Sequence, residues 1–461
     1  MKRPLSFKIA YIGGGSTGWA AQLMNDLALA EGIGGTVALY DLDMDAARRN
    51  ERYGNWLQEG PGVASRFRYA TARSLGDALK GADFVIASIT PAPLSVMAYD
   101  LGLPEQYGIL QSVGDTVGPG GILRALRAVP VYQGFADAIA LHCPGAWVIN
   151  YTNPMTVLTR TLNKVRPRLK VFGCCHEVFG TQGWLAGLAA RRFKVPAPSR
   201  QEIKINVMGI NHFTWFSKAV WKGHDLLALT RREMGRQGVR RKYTEQEILR
   251  QLEKAGHAPW SVNNHEITYE LFSRYGLLPA AGDRHLAEFV PGFLESRRTL
   301  YRWGIAPTGV PFRLNMVKER IRKMQDRVRS NNRVLTPSGE EGVAIMKSLL
   351  GLSKLRTNVN FPNQGQIANL PRHAVVETLA DFSGSGVKPV NAGPLPAGVL
   401  GKVLPHVLNQ ELVVEAALRR DLGLAFQAFL NDPLMTLAPD RARELFNKMV
   451  KATRPWLREY R

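Results

Sequence analysis

Cys175 and His212 each end a strand-like run, Val171-Phe172-Gly173-Cys174-Cys175 in one case and residues 202–207 leading into Gly209-Ile210-Asn211-His212 in the other. A thiolate and an imidazole delivered to one sheet edge, with coordination positions left open, suit a divalent ion that also grips a substrate's oxygens. The plainer reading makes Cys175 a small buried hydrophobe and His212 a satisfied core histidine, since most buried cysteines are inert. Cys174 reads that way. His176 cannot be placed by spacing, because adjacent side chains on a strand face opposite sides.

A second kind of chemistry is written near the start, in Gly13-Gly14-Gly15-Ser16-Thr17-Gly18. Gly13, Gly15 and Gly18 fit G-x-G-x-x-G with a strand before and a helix after. The first glycine permits a tight turn, the second lets the backbone approach a pyrophosphate, and the third lets helix and strand pack closely. The helix N-terminus then offers unpaired N–H groups to the phosphates. Asp41 ends the next strand, where a carboxylate accepts hydrogen bonds from ribose hydroxyls. An acid there repels a 2′-phosphate, which favours NAD over NADP.

Three polar clusters complete the inventory. Gly114-Asp115-Thr116-Val117-Gly118-Pro119-Gly120-Gly121 is a glycine-rich loop carrying one acid, and Asp115 taken alone is equally a turn residue. Asn150-Tyr151-Thr152-Asn153-Pro154 follows a strand and offers amides suited to sugar hydroxyls, though Asn153 before Pro154 also fits a plain turn. Gly282-Asp283-Arg284-His285-Leu286-Ala287-Glu288-Phe289 packs four ionisable groups together, and its bland reading is a helix start capped by Asp283.

These residues need a scaffold. Strand-like segments near residues 7–12, 37–40, 83–88, 146–150 and 171–175 alternate with helical stretches, which implies a doubly wound parallel sheet of the Rossmann kind with ligands at its carboxyl edge. Arg191-Arg192-Phe193-Lys194-Val195-Pro196 is a Pro-containing basic stretch. It divides the chain into a nucleotide-binding domain, residues 1–195, and a mixed α+β domain, residues 196–461, for substrate binding, metal binding and oligomerisation. The second part mixes helices and loops. Long helices are expected at residues 411–430 and 438–460, as core or subunit contacts, so a homodimer or homotetramer is expected.

The chain of 461 residues is 45% hydrophobic, ordinary for a globular protein, and long enough for two domains. Its net charge of +22 raises nucleic acid as a partner. However, Arg231-Arg232, Arg240-Arg241-Lys242 and the run from Lys318 to Lys323 sit on polar helix-like segments with acids nearby, so a solvated surface is the better account. No apolar run reaches the ~18 residues of a membrane span. No signal segment is legible and the three cysteines cannot build a disulfide framework, so a reducing cytoplasm is the expected setting.

Taken together, Gly13–Gly18, Val113–Gly121, Asn150–Pro154, Cys175-His176-Glu177-Val178, Gly209–Trp215, Asp283–Phe289 and Asn363–Pro371 resemble glycoside hydrolase family 4, nearly the whole chain in order. Most glycosidases work with a pair of carboxylates, and this family is the NAD-dependent exception. The resemblance implies that NAD oxidises the sugar's C3 hydroxyl, a base removes the acidified C2 proton, the glycosidic oxygen leaves, water adds, and the hydride returns. It matches Cys175 and His212 to the ligands of a metal, usually manganese. It matches Gly13, Gly15, Ser16, Thr17, Gly18 and Asp41 to the nucleotide site, Asn153 to a substrate hydroxyl, and Asp115 to an acid. Asp283 and Tyr269 both match the base, with Asp283 preferred for its place among other site-like residues. Cys-His-Glu-Val resembles the α-galacturonidase branch, with His176 and Glu177 facing the sugar. Arg284, beside His285, is the candidate partner for a uronate carboxylate, so an oligogalacturonide or other uronide is the expected substrate. An α-glucosidase or α-glucuronidase of the same family is the first alternative, and a lactate/malate-type 2-hydroxy acid dehydrogenase the second.

Overall fold

The structure, a computed structural model, describes residues 4–236, 242–256, 258–259, 262 and 264–461. Arg240 and Arg241 of the basic stretch noted above lie outside the described residues. The strands are β1 (Leu5–Ile12), β2 (Ile33–Tyr40), β3 (Arg66–Thr71), β4 (Phe84–Ala87), β5 (Trp147–Asn150), β6 (Lys170–Gly173), β7 (Lys204–Ile210), β8 (Phe213–Trp221), β9 (His224–Asp225), β10 (Leu278–Pro279), β11 (Leu355–Pro362), β12 (Val375–Ser383) and β13 (Gly386–Pro389).

β1 to β6 pair in parallel in the spatial order 3-2-1-4-5-6. That is the doubly wound arrangement, whose ligand crevice opens at the carboxyl ends where the order reverses, between β1 and β4. Both faces are covered, because successive residues of β1 enter different cores. Ala10 and Ile12 join one cluster with Leu123, Leu126 and Val129 of the helix Gly118–His142, while Ile9 and Tyr11 join the other with Met24 and Leu27 of the helix Trp19–Ala28. A fully buried pair fixes the helix Gly118–His142: Arg127 donates to both oxygens of Asp100 at 3.0 and 2.5 Å.

Beyond β6 the same sheet continues antiparallel through β11, β12 and β13. The sheet therefore runs across the expected division at residues 195 and 196, and the second half supplies strands as well as helices and loops. β11 carries Asn358 and Asn360 inside it, residues that strands ordinarily avoid. Both amides are buried and serve the polar cluster described below.

A smaller antiparallel sheet holds β10, β8 and β7, with β9 added to β8. Ile210 pairs with Phe213, so Asn211 and His212 form a two-residue hairpin turn. His212 is left-handed there, at φ 64°. Near the C-terminus the single helix expected over residues 411–430 is two, Ala397–Arg419 and Leu422–Asn431. Arg420 turns left-handed at φ 58° and the Asp421 carboxylate caps the second helix by accepting from Leu424 N at 2.9 Å. Among the described residues, no helix is long and apolar enough to cross a membrane.

Candidate active site

The glycine loop packs so closely that side chains have no room. A Cβ on Gly13, at φ 92°, would lie 2.0 Å from the Ser88 carbonyl oxygen, and one on Gly15 would lie 2.9 Å from Asp41 Oδ2. The loop's carbonyls are held from behind: Asn50 Nδ2 donates to Gly14 O and Ser16 O, and Arg49 Nη2 to Gly15 O. Asp41 accepts from Gly15 N at 2.8 Å, so the acid expected to meet a ribose is anchored to the loop expected to meet the phosphates. The following helix, Trp19–Ala28, begins at Gly18 without a side-chain cap, which leaves its first N–H groups open to an anion. Ser16 and Thr17 lie in this turn, and the donor set fits a dinucleotide.

Across the sheet edge, Asp115, His212 and His285 bring one ligand atom each within 4.8 Å of one another. The hairpin turn aims His212 inward, and its tautomer can be read from its neighbours. Thr116 Oγ1 gives its proton to Asp115 Oδ1 at 2.8 Å and lies 3.0 Å from His212 Nδ1. With that hydroxyl proton spent, Nδ1 must be the donor, which leaves a bare lone pair on Nε2. The rings of His212 and His285 stack with centroids 3.8 Å apart. His285 Nδ1 is buried with no hydrogen-bond partner. A carboxylate, a bare imidazole nitrogen and an orphaned one fit a divalent ion.

Electrostatics keep these groups in ligand form. Burial and the charge of His285 push His212 down to about 3. Burial, with Arg284 and Arg313 nearby, pushes His285 down to about 3 against the pull of Asp115. Burial opposes the charge on Asp115, but His285, Arg313, His212 and Arg124 outweigh it and hold this carboxyl well below the usual range. Asp115 is therefore ionised and the imidazoles neutral near pH 7.

Of the expected metal pair, Cys175 and His212, His212 lies in this group. Cys175 is outside the group formed by Asp115, His212 and His285. Its thiol is pushed up by burial and by Glu377 and Glu177, with the backbone at Glu177 and the Asn211 side chain acting against them. Glu377 in turn accepts from Asn358 Nδ2 at 2.6 Å and Asn211 Nδ2 at 3.3 Å, and burial raises it to about 7. Asn211, beside His212 in the hairpin turn, thus joins that turn to Glu377.

Asp283, the preferred base candidate, is held by hydrogen bonds from another helix. Its carboxylate accepts from Ile267 N at 3.1 Å, Thr268 N at 2.9 Å and Thr268 Oγ1 at 2.7 Å. It caps the helix Glu266–Tyr275 rather than its own helix, Asp283–Phe289, whose N-cap is Gly282. Tyr269, the other base candidate, lies on the capped helix with its ring 5.7 Å from that of Trp184.

Glu177 accepts from Gly282 N at 2.8 Å, and its other oxygen stands 3.7 Å from His285 Nε2. His176 turns the other way, stacking 5.4 Å from Trp19 with Nδ1 3.0 Å from Glu340. Arg124 Nε donates to Asn153 O at 2.9 Å, which ties the Asn153 loop to the helix that follows the Asp115 loop. Glu288 accepts from Val113 N at 2.7 Å and Gly114 N at 2.8 Å. Arg124, Arg313 and Glu377 were missed in the sequence. Of these, Glu377 left a signal, a charge amid the apolar run Val375-Val376 of a buried strand.

Residues 8–190 match the family 4 glycosyl hydrolases, and residues 207–435 match the C-terminal domain of the same family. The chain belongs to glycoside hydrolase family 4. It is 48% identical to an α-galacturonidase of Thermoanaerobacterium saccharolyticum over 97% of this chain and 96% of that protein. The crystal structure of lplD from Bacillus subtilis is 48% identical, with a TM-score of 0.89 over 96% of this chain and 100% of that one. A 6-phospho-α-glucosidase from gut microorganisms, in complex with NAD and Mn2+, shares the fold at 19% identity, with a TM-score of 0.79 over 98% of this chain and 99% of that one. This membership sets aside the 2-hydroxy acid dehydrogenase alternative.

Proposed function

We propose that this family 4 enzyme is an α-galacturonidase that uses NAD and a divalent metal, manganese first among them. The observation that carries the reading is 48% identity, over 97% of the chain, to an α-galacturonidase. Bound NAD would take a hydride from the sugar's C3 and later return it, and the metal would lower the barrier to deprotonation at C2. Gly13, Gly15, Ser16, Thr17, Gly18 and Asp41 hold the nucleotide. His212 would supply Nε2 to the metal, with Cys175 as the thiolate ligand, and Asp115 and His285 would face its open positions, where the sugar binds.

Asn153 and His285 orient sugar hydroxyls, and Arg284 faces the carboxylate. His176 and Glu177 act through the walls of the pocket, one against Trp19 and the other behind His285. Asp115 is ionised at rest, so it first accepts a proton, that of the C3 hydroxyl as C3 is oxidised, and then donates it to the leaving glycosidic oxygen. Tyr269 takes the C2 proton, on a helix that Asp283 fixes in place. Assembly as a homodimer or homotetramer and a reducing, cytoplasmic setting belong to the same proposal. Three free cysteines, two of them adjacent, support the setting.

The test is a panel of p-nitrophenyl α-glycosides with NAD, Mn2+ and a reductant. The galacturonide should be cleaved fastest, without net NADH, and Cys175→Ser should abolish turnover. Faster cleavage of the glucoside or glucuronide would move the assignment to those activities.

A further inference from the structure

Two arginines stand beside Asp115. Arg284 lies on the helix Asp283–Phe289 and Arg313 on the helix Val310–Arg329, so they come from separate elements, and both are only half exposed. Among the described residues neither forms an ion pair. Arg284 Nη1 donates to the Thr308 hydroxyl, while Arg313 donates through Nε to Thr308 O at 3.4 Å and through Nη2 to Val113 O at 2.7 Å. Thr308 is itself fixed, its N–H donating to Ser112 O at 2.8 Å while Ser112 Oγ donates to Arg284 O at 2.5 Å. One threonine thus clamps two guanidiniums side by side, next to the loop that carries Asp115.

Partly burying two cations among neutral oxygens is costly unless an anion arrives. Nearby acids supply it only in part. Asp115 is shared among Arg313, Arg284 and Arg124, Glu177 faces Arg284 but is engaged with Gly282 N, and Glu288 is engaged with Val113 N and Gly114 N. Arg124 differs from the other two because Asp100 also faces it.

We propose that Arg313 and Arg284 form the fork that reads the C6 carboxylate of a galacturonosyl unit, with Arg313 the residue that sets acid-over-neutral selectivity. This rests on the α-galacturonidase reading above. A planar carboxylate meets two fixed guanidiniums with charge-assisted hydrogen bonds that a neutral C6 group cannot match.

The experiment compares binding of D-galacturonate and its methyl ester to the protein loaded with NAD and Mn2+, for the natural chain, Arg313→Gln and Arg313→Lys, by calorimetry. Losing hydrogen bonds to a charged group predicts that Arg313→Gln weakens the acid by about ten- to a hundredfold. The ester should change less than about twofold, and NAD affinity should not move. Arg313→Lys keeps the charge but not the fork, and should fall between the two. Equal weakening of acid and ester would overturn the proposal, because it would make Arg313 a structural tie to Thr308 and Val113. Unchanged binding of the acid by Arg313→Gln would overturn it as well. A natural chain that binds neither compound would overturn the galacturonidase reading and this proposal with it.

Discussion

Thr116 does more for the site than its size suggests. Its hydroxyl stands between Asp115 and His212 at 2.8 and 3.0 Å and decides which imidazole nitrogen carries the proton. Replacing Thr116 by Val removes that decision while keeping the shape. Partners behind a ligand commonly govern about 10–100-fold in metal affinity, so Thr116→Val should weaken Mn2+ binding by that order, measured by calorimetry, with the unfolding temperature little changed. Glu288 makes a second residue-scale prediction. Its carboxyl is raised from 4.5 to about 8, by burial first and then by Asp115. The folded chain therefore keeps a proton that the unfolded chain gives up above about pH 4.5. This contribution is intact below pH 4.5 and lost as the pH rises through about 8. Glu288→Gln should flatten the alkaline limb of stability against pH, in urea unfolding between pH 6 and 9. An unchanged limb would count against a protonated Glu288. His212 and His285 have the opposite sign. Their contribution is present above 6.5 and lost as the pH falls toward about 3. At this scale the chemistry was legible where glycines and paired polar residues made a motif. Arg313 was not legible, because its meaning comes from Thr308 and Val113, one near in sequence and one two hundred residues away.

Among the elements, the helix Glu266–Tyr275 shows how one carboxylate can serve a neighbour. His265, its N-cap, is left-handed at φ 54° and makes no side-chain cap bond. Asp283 supplies the missing acceptor from the next helix. Cap removal typically costs about 1–2 kcal/mol, and three donors lose their partner at once, so Asp283→Ala should cost at least the upper figure in chemical denaturation. Asp283→Asn, which keeps an acceptor oxygen, should recover part of the stability and of the activity. A base at Asp283 would instead lose turnover in Asp283→Asn with stability intact. Sequence patterning located β1, β2 and β4 to β6 because buried parallel strands are short apolar runs between turns. It missed the break at Arg420 because apolar spacing continues on both sides, and only the Asp421 cap marks it. It missed β11 because the asparagines that make that strand look irregular are the ones gathered around Glu377.

On the scale of the whole molecule, the two family regions are joined by more than a linker. β11 pairs with β6 through Asn360 and Gly173, and helices of both halves share one hydrophobic core, Leu126 and Val129 from one side with Val407 and Val414 from the other. Thermal unfolding should therefore be a single transition in calorimetry. Two separated transitions would contradict the shared core. The candidate site has the same construction: the glycine loop and Asp115 come from the first half, His212, His285 and Arg313 from the second. Joined in this way, the two halves can oxidise C3 and deprotonate C2 of a single sugar without net redox change, which is the proposed reaction. The direct measurement is turnover of an α-galacturonide with NAD and Mn2+ in D2O, with the released galacturonate followed by proton NMR. Deuterium at C2 of the product and no accumulated NADH is the predicted result. Product that retains its C2 proton, or NADH that accumulates with turnover, would contradict this mechanism.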